Sequence, residues 1–201
     1  MDNKVFVTGI GTGIGKTVCS AALCKTFGHA YWKPVQCGDL DQSDTIFISK
    51  KSPETYIHQE AYRLKTPQSP HLAAKLEDIE ISLPESLIPK DSEKLCVEGA
   101  GGLMVPFNDN QTYLDFLLTS KLHPVIVIRH YLGSINHSLL TLQALAYAGI
   151  KNFTIIWNGE ENASSESAIL KRFSPVAQYR MDEWDMEKNE LPHLKQIGRD
   201  E

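Results

Sequence analysis

An α/β fold, a mostly parallel sheet with helices on both faces, is predicted by three observations. Short apolar runs rich in β-branched residues alternate with segments of helical period. The first of these runs passes directly into a glycine-rich turn, and that turn, ending Gly15-Lys16-Thr17, opens a helix. Lys4–Thr8 is the expected first strand, followed by a helix from Gly15 to about Phe27. Ala30–Val35 reads as a second strand, ended near Pro34. Residues 49–94 are polar, carry Pro53, Pro67, Pro70, Pro84 and Pro89, and read as an irregular excursion with some helix. Leu95–Val97 is a short strand leading into Glu98. Pro124–Ile128 is a nearly continuous β-branched run, as a strand buried on both faces requires. A helix is expected over Ile135–Ala148, stopped by Gly149, then a strand at Phe153–Trp157 and a helix near Ala163–Phe173. The charged stretch 181–201 lacks a strand signal and is expected to form a short helix or a loose tail. The whole chain, 1–201, reads as one domain of phosphate-loop NTPase type, with the C-terminal ends of its strands along one edge, where such sheets bind ligands.

Composition narrows the function. The chain has 201 residues, with 20 Lys+Arg against 25 Asp+Glu and a net charge of −5, which argues against nucleic-acid binding through a basic patch. At 42% hydrophobic and 22% charged residues it is a globular composition, not a disordered one. No apolar run approaches the roughly 18 residues that span a bilayer, and a cytoplasmic protein without a membrane partner is expected. Cys19, Cys24, Cys37 and Cys96 form no CxxC pair and read as reduced thiols. Neither His130 nor His137 has a partner at metal-ligand spacing.

The chemistry concentrates in Thr8-Gly9-Ile10-Gly11-Thr12-Gly13-Ile14-Gly15-Lys16-Thr17. Glycines allow backbone N–H groups to turn inward around a polyanion, and the helix N-terminus adds favourable partial charge. Lys16 can reach terminal phosphates, and the Thr17 hydroxyl can ligate Mg²⁺. The loop departs from the usual Gly-x4-Gly-Lys-Thr: Ile10 stands where the first Gly belongs, and Gly9 comes one residue early. Three further groups could complete a site. Lys33, in Trp32-Lys33-Pro34-Val35, reads alone as a solvated edge lysine; beside a phosphate loop, a phosphoryl group is the anion it would meet. Asp44 precedes Ile46-Phe47-Ile48 and is either a helix-start carboxylate or a metal ligand, with Asp39 and Asp41 as nearby rivals. Glu98, before Gly99-Ala100-Gly101-Gly102, is a turn glutamate or a Mg²⁺ ligand at a strand end. Leu132-Gly133-Ser134-Ile135-Asn136-His137 forms another helix N-terminus at the same edge, either a carboxylate site or a helix capped by Ser134 or Asn136.

Taken together, Thr8-Gly9-x5-Gly15-Lys16-Thr17, Lys33-Pro34-Val35, Ser43-Asp44, Val97-Glu98-Gly99-Ala100-Gly101-Gly102, Leu132-Gly133-x-Ile135-Asn136-His137 and Asn158 resemble the dethiobiotin synthetases in order and spacing, from about residue 4 to residue 159. That family shares the lengthened loop. The resemblance implies an ATP-dependent ligase of biotin biosynthesis that builds a cyclic urea on 7,8-diaminononanoate from CO₂ (or bicarbonate) and ATP. It implies Lys33 and Lys16 as catalytic residues, and Mg²⁺ held by Thr17, Asp44 and Glu98. Nucleotide contacts are implied for Gly13, Ile14, Gly15, Lys16, Thr17, Val18, Asp44, Glu98, Gly99, Ala100 and Gly101, with Asn158 at the base. Substrate contacts are implied for Cys37, Leu132, Gly133, Ser134, Ile135 and Asn136, the last five forming a loop that binds the substrate's carboxylate across a homodimer interface. The chain differs from the family in Cys37, where a hydroxyl residue is usual, and in Val176–Met181, where the family's base-side segment is not recognisable. The alternative is a partitioning or septum-placing NTPase switch; those carry an early loop lysine, where this chain has Gly11. A binding module with a decayed nucleotide site is a third reading, opposed by the joint presence of Lys16, Thr17, Asp44 and Glu98.

Overall fold

A computed structural model describes residues 1–185 and 190–198. The chain runs through β1 (Lys4–Gly9), α1 (Lys16–Phe27), β2 (Ala30–Trp32), β3 (Val35–Cys37), α2 (Asp44–Lys51), β4 (Ile57–His58), β5 (Tyr62–Leu64) and α3 (Pro70–Leu76). It continues through β6 (Leu95–Glu98), α4 (Tyr113–Ser120), β7 (His123–Arg129), α5 (Ser134–Tyr147), β8 (Thr154–Asn158), α6 (Ala163–Leu170), β9 (Ala177–Met181) and β10 (Lys195–Ile197). The main sheet has the order β10-β9-β8-β7-β1-β6-β2-β4. Every neighbouring pair in it is parallel except β10 on β9. This is the expected parallel α/β fold. Val5–Val7, Val125–Ile128 and Ile155–Trp157 are fully buried, which is why these strands read as unbroken apolar runs.

Three expectations change, the first because the polar excursion 49–94 holds strands as well as helix: β4 joins the main sheet beside β2, and β5 pairs with β3. The single strand foreseen at Ala30–Val35 is two strands, interrupted at Lys33-Pro34. β2 stays in the main sheet, whereas β3 pairs with β5 in a separate two-stranded sheet. Pro34 has no N–H to give a ladder, and its carbonyl instead accepts the Tyr62 N–H at 2.9 Å. Within 181–201, where a helix or loose tail was expected, Lys195–Ile197 forms β10 along the flank of β9. The pairing is a property of the partner strand's free flank, which no local pattern in the tail announces; residues 186–189 and 199–201 of that stretch lie outside the described residues. None of the described helices is long and apolar enough to cross a membrane.

The core also holds a titratable group. His29 is 2% exposed, with Nε2 donating to the Asp2 carbonyl at 2.8 Å. Its Nδ1 is buried without a partner among the described residues. Burial depresses its pKa below 6.5, against the opposing pull of the Asp2 hydrogen bond. Between the depressed value and 6.5 the unfolded chain binds more protons than the folded one, so stability falls as pH drops below that point. The expected outcome is a lower thermal midpoint at about pH 5.5 than at about pH 7.5, with a smaller gap in His29→Gln; equal gaps in the two proteins remove His29 from the acid response.

Candidate active site

The phosphate loop joins β1 to α1. Ile10 and Ile14 are 8% and 3% exposed, and the Ile10 N–H donates to the Val127 carbonyl at 3.3 Å. The apolar loop residues thus face the core, which leaves glycine backbone on the open side. Gly15 is the N-cap of α1, with φ 88°, a left-handed conformation that favours glycine, and no side chain caps the helix. The first-turn amides of α1 are therefore free to meet an anion. Lys16 Nζ donates to the Gly11 carbonyl at 3.1 Å, folding the ammonium back over the loop. Burial lowers the Lys16 pKa, outweighing the attraction of Glu98.

Beside the loop, four side chains meet. Thr17 Oγ1 lies 2.8 Å from Asp44 Oδ1 and 3.0 Å from Glu98 Oε1. Lys33 Nζ is ion-paired with Asp44 Oδ2 and lies 3.5 Å from Glu98 Oε1. Topology brings them together. The parallel register pairs Val7 with Glu98, so the last residue of β6 sits beside the strand that feeds the loop. Lys33 occupies the break between β2 and β3. Asp44 starts α2, whose N-cap is Ser43, accepting the Ile46 N–H at 3.3 Å. Lys33 and Glu98 are 5% and 1% exposed. Burial alone would lower the Lys33 pKa, but Glu98 and Asp44 outweigh it and hold the ammonium above the ordinary lysine value. Asp44 is held below its usual value because the Lys33 charge and the Lys33 and Thr17 hydrogen bonds outweigh its burial.

These groups line a cavity of about 770 Å³ together with Gly13, Gly15, Val18, Cys37, Ala100 and Gly101. Asp39 lines it as well. Ile14 and Gly99 are outside this lining: the Ile14 carbonyl accepts from Asn158 Nδ2 at 2.8 Å, and the Gly99 N–H donates to Val7 at 3.0 Å. Asn158 lines a second cavity of about 580 Å³ with Arg129, His130 and the 159–162 turn. Leu132–Asn136 line a third, of about 810 Å³. Neither Ser134 nor Asn136 caps α5. The N-cap is Gly133, with φ 103° and no side-chain cap, because Ser134 is already inside the helix and buried. Cys37 carries a thiol whose pKa burial pushes up to about 11, so it enters the site as a neutral group.

Several residues escaped the sequence reading. Tyr31, fully buried, donates to Glu98 Oε2 at 3.1 Å and fixes that carboxylate from behind. Its position inside a hydrophobic strand carries no sign of this. Gln36 and the Pro67–Pro70 segment also line the main cavity, the latter from within the polar excursion. A Cβ on Gly15 would collide with Asn158 Nδ2, whereas one on Gly11 would meet nothing within 4 Å. Gly15→Ala is therefore expected to cost about 1–3 kcal/mol of unfolding free energy in urea denaturation, while Gly11→Ala changes it by a few tenths at most; equal effects would show that the Gly15–Asn158 packing is slack.

A family model described as an AAA domain matches residues 3–179. The ATP-dependent dethiobiotin synthetase BioD of Christiangramia forsetii is 42% identical over 85% of this chain and 83% of its own. That of Nitrobacter hamburgensis is 41% identical over 100% of this chain and 91% of its own, and that of Brucella ovis 43% over 84% and 81%. Among solved structures, a ParA family ATPase from Chlorobium tepidum TLS superposes with TM-score 0.52 at 15% identity, covering 94% of this chain and 88% of that one. Chloroplast FtsY from Physcomitrella patens gives 0.54 at 12%, covering 96% and 61%. At those identities the structural likeness shows the phosphate-loop fold alone. The sequence identity, sustained over most of the chain, makes it a member of the ATP-dependent dethiobiotin synthetase family, a family of ligases.

Proposed function

We propose that this enzyme closes the cyclic urea of dethiobiotin on 7,8-diaminononanoate, using CO₂ and ATP. The observation that carries the reading is the Lys33 ammonium, buried between Asp44 and Glu98 at the mouth of the phosphate loop. One amine of the diamine captures CO₂ as a carbamate. A carbamate oxygen attacks the γ-phosphorus of ATP, breaking its bond to the bridging oxygen and giving ADP and a mixed carbamic–phosphoric anhydride. The second amine attacks the carbonyl carbon, loses its proton, and expels phosphate as the ring closes. Lys16 and Lys33 provide positive charge where anionic reactants converge, and the loop amides and the cavity walls hold them in position.

The donor set fits Mg²⁺. The Thr17 hydroxyl and the Asp44 and Glu98 carboxylates offer only oxygen, and both carboxylates lie within hydrogen-bond distance of the hydroxyl. Among the described residues there is no group of three or more His, Cys, Asp or Glu that could form a protein-only cage. Two carboxylates and a hydroxyl suit an ion that shares its shell with water and phosphate oxygens. When bound, Mg²⁺ would neutralise charge on the phosphate oxygens. In the same reading the backbone of Gly13–Val18, with Ala100 and Gly101, faces the nucleotide phosphates, Asn158 and its turn face the base, and the Leu132–Asn136 loop takes the diamine's carboxylate across the dimer interface. Cys37 borders the diamine side of the main cavity. A homodimer through α5 belongs to this proposal, supported by the exposed apolar surface of Leu132, Leu140 and Tyr147. A cytoplasmic location belongs to it too, consistent with four free thiols.

Phosphate release from ATP is expected only when diaminononanoate and bicarbonate are both present, with dethiobiotin identified by mass spectrometry of the mixture. Strong hydrolysis without the diamine, stimulated by a protein or DNA partner, would favour a switch ATPase instead. Lys33→Ala is expected to lower kcat by about 10²–10³, the scale of a lost transition-state donor, while nucleotide still binds. Unchanged turnover in a folded variant takes Lys33 out of the mechanism.

A further inference from the structure

The second and third cavities share two wall residues, His130 and Asn162. Both are held by one oxygen. Glu166 Oε1 accepts from His130 Nε2 at 3.0 Å and from the Asn162 backbone N–H at 3.1 Å. Glu166 Oε2 accepts from Arg180 Nη2 at 2.7 Å, and Arg180 Nη1 donates on to the Gly159 carbonyl at 3.4 Å. Glu166 is 8% exposed, a depth at which a carboxylate must be paired. His130 is further fixed by stacking on Trp157, with ring centroids 5.5 Å apart and planes 17° from parallel. The network joins four elements of the strand C-terminal edge: the end of β7, the turn after β8, the first turns of α6, and β9. No part of the proposed chemistry uses it.

We infer that Glu166 is a positioning residue: its carboxylate fixes the partition between the cavity beside Asn158 and the cavity of the 131–136 loop, so that nucleotide and diamine are held through one buried ionic anchor. The inference rests on the proposed assignment of those cavities to the two substrates. On the nucleotide side, Arg180 and Glu166 pin both ends of the Gly159–Asn162 turn, which continues from Asn158 and its hydrogen bond to the loop residue Ile14. On the diamine side, His130 immediately precedes Tyr131, whose carbonyl accepts the Ser134 N–H at 2.9 Å at the start of α5. Releasing the anchor loosens both walls and leaves the reacting groups around Lys33 in place.

The test is Glu166→Gln in the full chain. ATP affinity is measured without diamine, by displacement of a fluorescent nucleotide, and the diamine KM by phosphate release. Both the ATP Kd and the diamine KM are expected to rise about tenfold, the scale of one charge-assisted hydrogen bond, with kcat within about twofold of wild type. In a Glu166→Gln protein shown to be folded by circular dichroism, both constants unchanged overturns the inference, as does a rise in only one constant. If Glu166→Gln does not fold, His130→Ala, which keeps the Glu166–Arg180 pair, is expected to raise the diamine KM by about threefold or more; an unchanged value overturns it. Wild-type enzyme that fails to turn over the diamine would sink the proposed reaction, and the ATP Kd of Glu166→Gln would still decide whether the anchor serves the nucleotide side.

Discussion

A lysine ammonium enclosed with two carboxylates organises this structure. Lys33 is too deep for water to stabilise its charge, so Asp44 and Glu98 must lie beside it, and the chain is routed to bring them there. The second strand of the sheet stops one residue short of Lys33, Pro34 breaks its ladder, and the next three residues join a different sheet. Such a cluster is weak evidence for stability, since taking three charges from water costs about as much as their attraction returns. Its retention in the interior points to work done on a ligand. Burial also keeps the Lys33 charge from being screened by solvent.

The sheet supplies the precision. Parallel pairing of β1 with both β6 and β7 sets three strand ends side by side, with the phosphate loop in the middle. Glu98 therefore approaches Thr17 from a rigid strand, not from a loop, and Tyr31 on the adjacent β2 holds the carboxylate's other oxygen. Asp44 comes from a helix start capped by Ser43. Each of the charged groups is positioned by a different element, so the site forms only when the sheet and its first crossovers are complete.

How much of this was legible depended on where the information resides. The loop, β1, β7, α1 and α5 were readable because their signals are local: glycine spacing, unbroken β-branched runs, helical period. Lys33, Asp44 and Glu98 could be singled out as candidates, but each also had an ordinary explanation, and only the three-dimensional register brings them within one hydrogen-bonded group. The split of β2 from β3 was missed because the apolar run Ala30–Trp32 resumes at Val35 after only Lys33 and Pro34, and the pairing of β3 with β5 is set by a segment that reads as irregular. Tyr31 and Glu166 were invisible for opposite reasons. Tyr31 is an aromatic in an apolar run and looks like packing; Glu166 is a carboxylate in a serine-rich helix start and looks like solvated surface.

The two flanking strands of the main sheet bear on behaviour in concentrated solution. On one side β4 is two residues long; on the other β10 is three residues long and runs against its neighbour's direction. A long, flat parallel strand left bare would offer a row of free amides and carbonyls to another molecule. Here each border ends after two or three residues, so the sheet gives a foreign strand little to extend, and the stack of buried β-branched strands between them is guarded against filament-like association.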